Sequence, residues 1–318
     1  MFFEAFKTTG LAIIQILCLA VVGYALHKKK LISETGFDAI SRLVIEVTLP
    51  ALIFYQLIRD FSFSLYPRWW LFPLLSITIT LFGLALGFLF GKSKRGLEYR
   101  LQFTSLIAFQ NSGYLPLAII GTLLPSQKAA TLLVYLFLFL AGFNIVMWPL
   151  AMYLFTFSKN ARFALSHLFN MPTLAALLGL GIVFLGLNAF IPPVAVKTLR
   201  MVGDCTIPLA LMVVGADLAR IKLTHVDGRA MALLSFVKLI LMPLAGLALV
   251  KFFHLPELLG LLLIMQLAAP SATSLSAILR HCKKEDLFVS QGIFFTHVIS
   301  IATLPIFLSV YSIMSAAR

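Results

Sequence analysis

Two apolar segments of the chain each carry polar side chains and a proline near their centre. The first has Gln-Asn-Ser-Gly at positions 110–113, shortly before Pro116, and the second runs from Gln266 through Pro270 to Thr273. Side-chain amides and hydroxyls inside an apolar segment can donate hydrogen bonds to a buried anion such as a carboxylate. The chemistry that these residues could perform is recognition of an anion inside a membrane.

The prolines predict that both segments are interrupted helices. Proline removes a backbone donor and clashes with the preceding turn, so each helix should unwind before its proline, and each proline should open a second half-helix. Two half-helix N-termini would then meet near the bilayer centre and form an anion site. A single such proline is more often a kink, but a matched pair 154 residues apart favours a transporter site. The predicted substrate-binding residues are Asn111, Ser112, Gly113, Pro116, Gln266, Pro270, Ser271, Thr273 and Lys238.

Lys238 is included because it lies inside an apolar segment. A lysine at membrane depth costs about 3 kcal/mol on insertion scales, which predicts a partner or a function for it. One interpretation is a structural ion pair or a side chain that reaches the membrane surface. The other is a positive charge that assists a carboxylate substrate or takes the place of a coupling cation.

A second feature is a sequence motif that occurs twice, 158 residues apart. Residues 42–50 and 200–208 both read Arg, three residues, a carboxylate, one residue, Thr, one residue, Pro. Glu46 and Asp204 follow their arginines by four residues, so each could form an ion pair within its helix or carry a proton. His297 is a third titratable candidate, although a lone histidine is more often simply hydrogen-bonded. Sodium coupling through backbone carbonyls with Ser112, Thr273 or Ser274, proton coupling, and uniport all stay open.

The composition indicates a membrane protein with many spans. The 318 residues are 61% hydrophobic and 12% charged, about half the charge of a soluble domain. Basic cytoplasmic loops would account for the net charge of +13, so the bilayer is the expected partner and nucleic acid is not. The three cysteines show neither disulfide nor metal-ligand spacing, and we expect no cofactor beyond a coupling ion.

We read ten membrane spans from the apolar runs. Fifteen basic residues lie in the odd-numbered junctions and eight on the other side with the termini, which predicts that both termini are non-cytoplasmic in a cell (inner) membrane. Five spans per half would give the halves opposite orientations, with a first inverted repeat at 1–156 and a second at 157–318. Gly83, Gly87 and Gly91 predict close helix packing in the third span. The predicted spans are 8–26, 38–58, 68–91, 101–124, 129–156, 171–190, 198–219, 229–252, 257–279 and 287–314.

Over essentially its whole length, the chain resembles the auxin efflux carrier family, which belongs with the PIN-like proteins and bile acid:sodium symporters. The resemblance rests on Leu-Pro-Ala-Leu-Ile-Phe at 49–54, the Asn-containing break before Pro116, Val-Lys-Leu-Ile-Leu-Met-Pro-Leu at 237–244, and Ala-Pro-Ser-Ala at 269–272. It implies an all-α fold of ten transmembrane helices in two inverted five-helix repeats, whose spans 4 and 9 are broken and cross.

The resemblance further implies a scaffold of spans 1, 2, 6 and 7 and a transport core of spans 3–5 and 8–10. A homodimer through the scaffold helices would fit this arrangement. Family substrates are organic anions, with auxin in plants and carboxylates such as malonate or malate suggested for bacterial members. The plant carriers have an Asn before each crossing proline, whereas the second break here offers Gln266, which argues against auxin itself.

We therefore expect a secondary transporter that moves a small organic anion by elevator-type alternating access. The alternative is a membrane receptor or sensor built on a transporter-like fold. An intramembrane enzyme ranks last, because the sequence offers no convincing metal cluster and no nucleophile–base pair.

Overall fold

The computed structural model describes residues 2–92, 96–156, 170–281 and 287–316, without the side chains of residues 280 and 281, and its regular structure there is helical. Two π-helical turns, Val44–Thr48 and Val237–Leu241, and a 3-10 turn, Leu187–Phe190, lie among the α-helices. The α-helices are α1 (Phe2–Lys28), α2 (Glu34–Leu43), α3 (Leu49–Asp60), α4 (Leu71–Phe90), α5 (Leu97–Ala108), α6 (Tyr114–Leu123), α7 (Ser126–Thr156), α8 (Met171–Phe184), α9 (Pro193–Asp204), α10 (Thr206–Arg220), α11 (Gly228–Phe236), α12 (Met242–Phe253), α13 (Glu257–Ala268), α14 (Ser274–His281) and α15 (Leu287–Ala316).

Six helical stretches within the described ranges are long and apolar enough to cross a membrane. The prediction of an all-helical membrane protein is thereby confirmed. The count of ten spans stays a prediction, because the remaining apolar helices are short. For example, the 12 residues of α13 extend only about 18 Å, against a hydrocarbon core of about 30 Å. The six stretches are Phe2–Lys28, Leu71–Phe90, Ser126–Thr156, Pro193–Arg220, Gly228–Phe253 and Leu287–Ala316.

Each π-helical turn directly precedes a helix that has a proline at its second residue, Pro50 in α3 and Pro243 in α12. A proline in a continuous helix clashes with the carbonyl four residues before it, and a wider turn relieves that clash. The first wide turn begins two residues after Arg42 and contains Glu46 and Thr48 of the repeated motif, and no ion pair joins Arg42 to Glu46 among the described residues. In regular α9 the equivalent pair forms, with Arg200 Nε 3.7 Å from Asp204 Oδ2.

Glycines bring pairs of helices into backbone contact. A Cβ atom placed on Gly83 or Gly87 of α4 would lie 2.7 Å or 2.6 Å from a Cα atom of α5, which confirms the close packing predicted from their spacing. A Cβ on Gly23 of α1 would lie 1.9 Å from the Met212 carbonyl oxygen of α10. These contacts fix α4 against α5 and α1 against α10.

The helices form two groups of neighbours that also contact each other. In one, α1 lies against α10, and α3 lies against α8 and α9. In the other, α4 lies against α5 and α7, α12 lies against α13, and both α11 and α13 lie against α15. Between the groups, α1 lies against α15, and α7 lies against α3 and α8. The most deeply buried side chains belong to α5, α7 and α13, including Phe103, Phe139 and Leu262. The centre of the molecule is therefore formed around α5 and α13, the helices that precede the two predicted breaks.

Candidate functional site

Both predicted interruptions are present as non-helical segments. Helix α5 ends at Ala108 and α6 begins at Tyr114, while α13 ends at Ala268 and α14 begins at Ser274. The first residue after each helix, Phe109 or Ala269, has an extended backbone conformation. We refer to residues 109–113 as the first break and residues 269–273 as the second break.

The two prolines occupy different positions relative to these breaks. Pro116 lies in the first turn of α6, where backbone N–H groups have no partner within the helix, so its missing donor costs nothing. Pro270 does not open a half-helix, and the prediction for it is wrong. It lies in the extended part of the second break, four residues before α14, and its carbonyl accepts a hydrogen bond there.

The breaks pair with each other as a short antiparallel bridge between Gln110 and Ser271. The backbone N–H of Asn111 donates to the Pro270 carbonyl at 2.8 Å, and the N–H of Ala272 donates to the Phe109 carbonyl at 2.9 Å. Backbone groups released from a helix inside a membrane need partners in the protein or a wet cavity. Here each break supplies those partners for the other.

Side chains from the second half of the chain hold the end of α5. The Lys238 ammonium donates to the Ile107 carbonyl at 2.6 Å, and the Ser271 hydroxyl donates to the Leu106 carbonyl at 2.6 Å. The last carbonyls of a helix lack helical partners and carry partial negative charge, so a cation is favourable there. Lys238 is completely buried and forms no ion pair with any described residue. Its ammonium therefore lies at the end of α5, next to the start of the first break.

A cavity of about 100 Å³ opens beside the paired breaks, and we call it the first cavity. Its polar lining comes from both breaks, from α7 and from the start of α8, whereas the α3 side is apolar. It contains four of the predicted binding residues. The lining residues are Gln110, Asn111, Ser112, Gly113, Tyr114, Ala272, Thr273, Ser274, Leu140, Phe143, Asn144, Met147, Trp148, Asn170, Pro172, Ile45 and Leu49.

A second cavity of about 80 Å³ lies between the first break and helices α1, α10 and α15. Its lining is apolar except for Asn111, His297 and Ser300. The Asn111 amide nitrogen is 3.3 Å from His297 Nε2, and His297 Nδ1 is 2.8 Å from the Ile293 carbonyl oxygen. Asn111 therefore contributes to both cavities.

Several polar atoms around the first break are buried and have no hydrogen-bonding partner among the described residues. They are both amide atoms of Gln110, the hydroxyl of Ser112 and the amide oxygen of Gln266. The Gln266 amide nitrogen, by contrast, donates to the Ser112 carbonyl at 3.1 Å. Because buried polar groups are usually satisfied, these atoms mark a place for a polar ligand or ordered water. Gln110 and Ser112 both line the first cavity.

The remaining predicted residues lie outside the first cavity. Gln266, Pro270, Ser271 and Lys238 support the breaks without lining either cavity, and Pro116 lies beyond them in α6. Glu46 and Asp204 are exposed on the outer faces of their helices, whereas His297 lines the second cavity.

The lining residues of the first cavity that the sequence analysis did not assign to the site include Gln110, Asn144, Trp148 and Asn170. Asn144 is an isolated amide in the long apolar helix α7, a signal that could have identified it. Asn170 caps α8, accepting from the Thr173 N–H at 3.0 Å, and its amide nitrogen has no partner within the described residues. Gln110 stands in the same polar run as Asn111 and Ser112, a local signal that could have identified it, whereas Trp148 could be assigned only from its neighbours in space.

No carboxylate, Lys or Arg side chain lines either cavity among the described residues. The donors are neutral amides, hydroxyls and the N-termini of α6 and α14. Lys238 adds a positive charge at the Ile107 carbonyl, outside the cavity lining. Such a site can bind a group by hydrogen bonds without a fixed ion pair.

The family described as membrane transport protein, Mem_trans, matches residues 10–164 and 154–308. The chain is also 30% identical over 113 residues to Protein PIN-LIKES 2 of Arabidopsis thaliana. That match covers 35% of this chain and 25% of the plant protein's length.

Proposed function

The chain belongs to the Mem_trans family of membrane transport proteins, the auxin efflux carrier family that its motifs resemble, and we propose that it is a secondary transporter of a small organic anion. In this proposal the anion binds at the paired breaks and crosses by elevator-type alternating access. The observation that carries the proposal is the position of Asn111. It lies in a broken helix and contributes to two separate cavities, so one residue can serve a ligand approached from either.

The anionic charge of the substrate is inferred from the donors at the site. Ser112 and Thr273 offer hydroxyl donors in the first cavity, Asn111 contributes its amide, and helix α6 begins beside them. Hydrogen bonds to a charged acceptor are stronger than those to a neutral one, so a carboxylate would gain most from this arrangement. The small volume of the cavity favours a small carboxylate.

In this proposal one group of helices moves against the other. The proposed scaffold corresponds to α1, α2–α3, α8 and α9–α10, and the proposed core to the other described helices. The first cavity is lined from both, and the scaffold side contributes Ile45, Leu49 and Pro172 together with the amide of Asn170. Apolar side chains such as the first three make no directional bonds that a sliding core would have to break. The ten spans, the inverted repeats and the homodimer through the scaffold belong to the same proposal.

We place the transporter in the cell (inner) membrane with both termini non-cytoplasmic. The support for this orientation is the excess of basic residues in the odd-numbered junctions. Some of those basic residues, including Lys94 and Arg162, lie outside the described residues.

Uptake into proteoliposomes tests the proposal. A panel of labelled carboxylates, with malonate and malate among them, should give uptake above protein-free vesicles. Asn111→Ala removes a donor to the anion, and losing such a bond costs about 1.5–3 kcal/mol, or roughly tenfold to a hundredfold in affinity. Gln266→Ala should also reduce uptake, because it removes the bond that holds the Ser112 carbonyl.

Gln127→Ala is the matched control, since that glutamine is exposed at the start of α7. It should transport at the wild-type rate. Wild-type rates in both Asn111→Ala and Gln266→Ala would refute the site. A thermal-shift screen would first select carboxylates, because a ligand at 100 times its Kd stabilises the folded state by about 2.7 kcal/mol.

A further inference from the structure

We propose that the protonation state of His297 determines whether the Asn111 side chain presents a hydrogen-bond donor or an acceptor to the ligand. The binding of one proton is thereby coupled to the binding of one carboxylate. His297 would be a positioning residue that acts on the anion through Asn111. The inference rests on the proposed function, since it assigns a coupling ion to the same site.

The contacts of His297 define which ring nitrogen holds its proton. Nδ1 lies 2.8 Å from the Ile293 carbonyl oxygen, which can only accept, so Nδ1 carries a hydrogen. In the neutral ring Nε2 is then an acceptor, and it receives the N–H of the Asn111 amide across 3.3 Å. This arrangement leaves the Asn111 amide oxygen without a hydrogen-bonding partner among the described residues.

Protonation of Nε2 reverses the contact with Asn111. Both nitrogens of an imidazolium are donors, so Nε2–H can no longer receive the amide N–H. The favourable response is a 180° rotation of the Asn111 amide about its Cβ–Cγ bond, after which Nε2–H donates to Oδ1. The backbone stays in place during this change, because the Asn111 N–H remains bonded to the Pro270 carbonyl.

The half-turn changes what Asn111 offers to a ligand. With neutral His297 the free end of the amide is an oxygen, which repels a carboxylate. With protonated His297 the free end is NH₂, which can donate two hydrogen bonds. Since Asn111 lines both cavities, the same change applies to a ligand approaching from either one.

The charges around the imidazole favour joint binding of proton and anion. Within the described part of the chain no carboxylate lines the second cavity, and the π-helical turn packed against α15 carries the cation Lys238. Helix α10 brings Asp217, but its carboxylate is 3.6 Å from Arg220 Nη1 and so already has a cation beside it. An imidazolium here lacks a counter-charge of its own until a carboxylate binds.

The other elements packed against α15 add no nearby counter-charge within the described residues. Helix α11 contributes the cation Arg229 at its second residue, and the Glu257 backbone of α13 contacts Tyr311, about 21 Å along α15 from His297. The charged residues of α5, Glu98 and Arg100, lie in its first turn, far from the break. Those of α1 lie toward its two ends, whereas its residues 13–20 line the cavity.

The test has one arm that needs no substrate. Nitrogen-15 NMR of histidine-labelled protein in nanodiscs, with the His297 signals assigned by their loss in His297→Gln, should show the Nδ1–H tautomer at alkaline pH. Acidification should protonate Nε2. Asn111→Ala removes the amide partner and should shift the Nε2 signal, whereas Gln127→Ala should not. A ring with hydrogen on Nε2 at alkaline pH, or no response to Asn111→Ala, would overturn the inference.

The second arm measures coupling in proteoliposomes with the membrane potential clamped at zero. A gradient of one pH unit should sustain about tenfold accumulation of a transported carboxylate, since each proton carries 1.36 kcal/mol per pH unit. His297→Gln should abolish this accumulation while leaving exchange of the carboxylate between the two sides measurable. His254→Asn is the histidine control, because it is exposed at the end of α12 in a left-handed conformation that Asn tolerates.

The outcomes separate the two proposals. Absence of carboxylate uptake at every pH tested would reject the proposed function. Uptake that ignores the pH gradient, or gradient-driven accumulation that survives in His297→Gln, would reject proton coupling through His297 and leave anion transport standing.

Discussion

Replacing Lys238 by methionine should disturb the first break while leaving the global fold intact. The substitution removes the ammonium that donates to the Ile107 carbonyl at 2.6 Å and keeps a side chain of similar length. A buried carbonyl without its partner costs about 1–3 kcal/mol. Against this, removal of a lysine from membrane depth returns about 3 kcal/mol of insertion cost.

These two effects have opposite signs, so the net change in the global free energy of unfolding should lie between zero and about 2 kcal/mol of stabilisation. We expect Tm to rise by no more than about 8 °C, the shift that about 2 kcal/mol produces in a domain of 150–250 residues. The local effect does not cancel, because the carbonyl that loses its donor lies at the end of α5. Opening of the break should become easier by about 1–3 kcal/mol, or roughly 5-fold to 150-fold.

Hydrogen exchange at the Asn111 N–H measures that opening, since this group is protected by its bond to Pro270. Exchange should accelerate in Lys238→Met and carboxylate uptake should fall with it. Lys251→Met is the matched control, because Lys251 is exposed near the end of α12. The reasoning would be refuted by wild-type exchange at Asn111 in Lys238→Met, and equally by a loss of the folded state, which would give the lysine a global role.

Two further predictions concern packing and the second break. Gly23→Ala should lower Tm by several degrees, because its Cβ would lie 1.9 Å from the Met212 carbonyl oxygen and overpacking costs about 1–3 kcal/mol. Gly10→Ala, which meets nothing within 4 Å, should leave Tm unchanged or raise it, and equal Tm values for the two variants would contradict the backbone contact of α1 with α10. Ser271→Ala should destabilise by about 1–3 kcal/mol in a thermal or denaturant assay, because the Leu106 carbonyl loses its hydroxyl donor. The exposed Ser312→Ala is its control, and matching stabilities would show that the Ser271 hydroxyl contributes nothing.

The sequence was sufficient to predict that two helices are interrupted and where. Polar residues and a proline in an apolar segment are local signals, and residues 109–113 and 269–273 are indeed non-helical. Where each half-helix resumes was predictable only in part. Pro116 lies in the first turn of α6 as its fixed φ and missing donor favour, but Pro270 lies in a pairing with Asn111 that no local rule encodes.

Residues that depend on distant partners could not be assigned from the sequence. Lys238 was recognised as anomalous by its cost in an apolar helix, yet its acceptor is 131 residues away on α5. The Asn111–His297 contact joins residues 186 apart, and it exists because the first break faces α15. Conversely, the Arg42–Glu46 pair follows from ideal helix geometry, and the π-helical turn that begins at Val44 removes it.

The first break is held almost entirely by the second half of the chain. Lys238, Ser271 and His297 contact Ile107, Leu106 and Asn111 respectively, and Gln266 contacts Ser112. Without these partners the last carbonyls of α5 and the extended segment after it would be unpaired in an apolar surrounding, at a cost of about 1–3 kcal/mol for each group.

The second break is held by both halves of the chain. Its Pro270 carbonyl and Ala272 N–H bond to the first break, and its Ser271 hydroxyl donates to the Leu106 carbonyl. Its Ser271 N–H donates to the Thr296 hydroxyl of α15, in its own half. The two breaks are therefore joined to each other and to α15, and the helix end before the first break is joined in addition to the wide turn that carries Lys238. Any group bound at Asn111 acts directly on the contacts that join the two halves, which is the physical link that a transporter needs between ligand binding and movement of its helices.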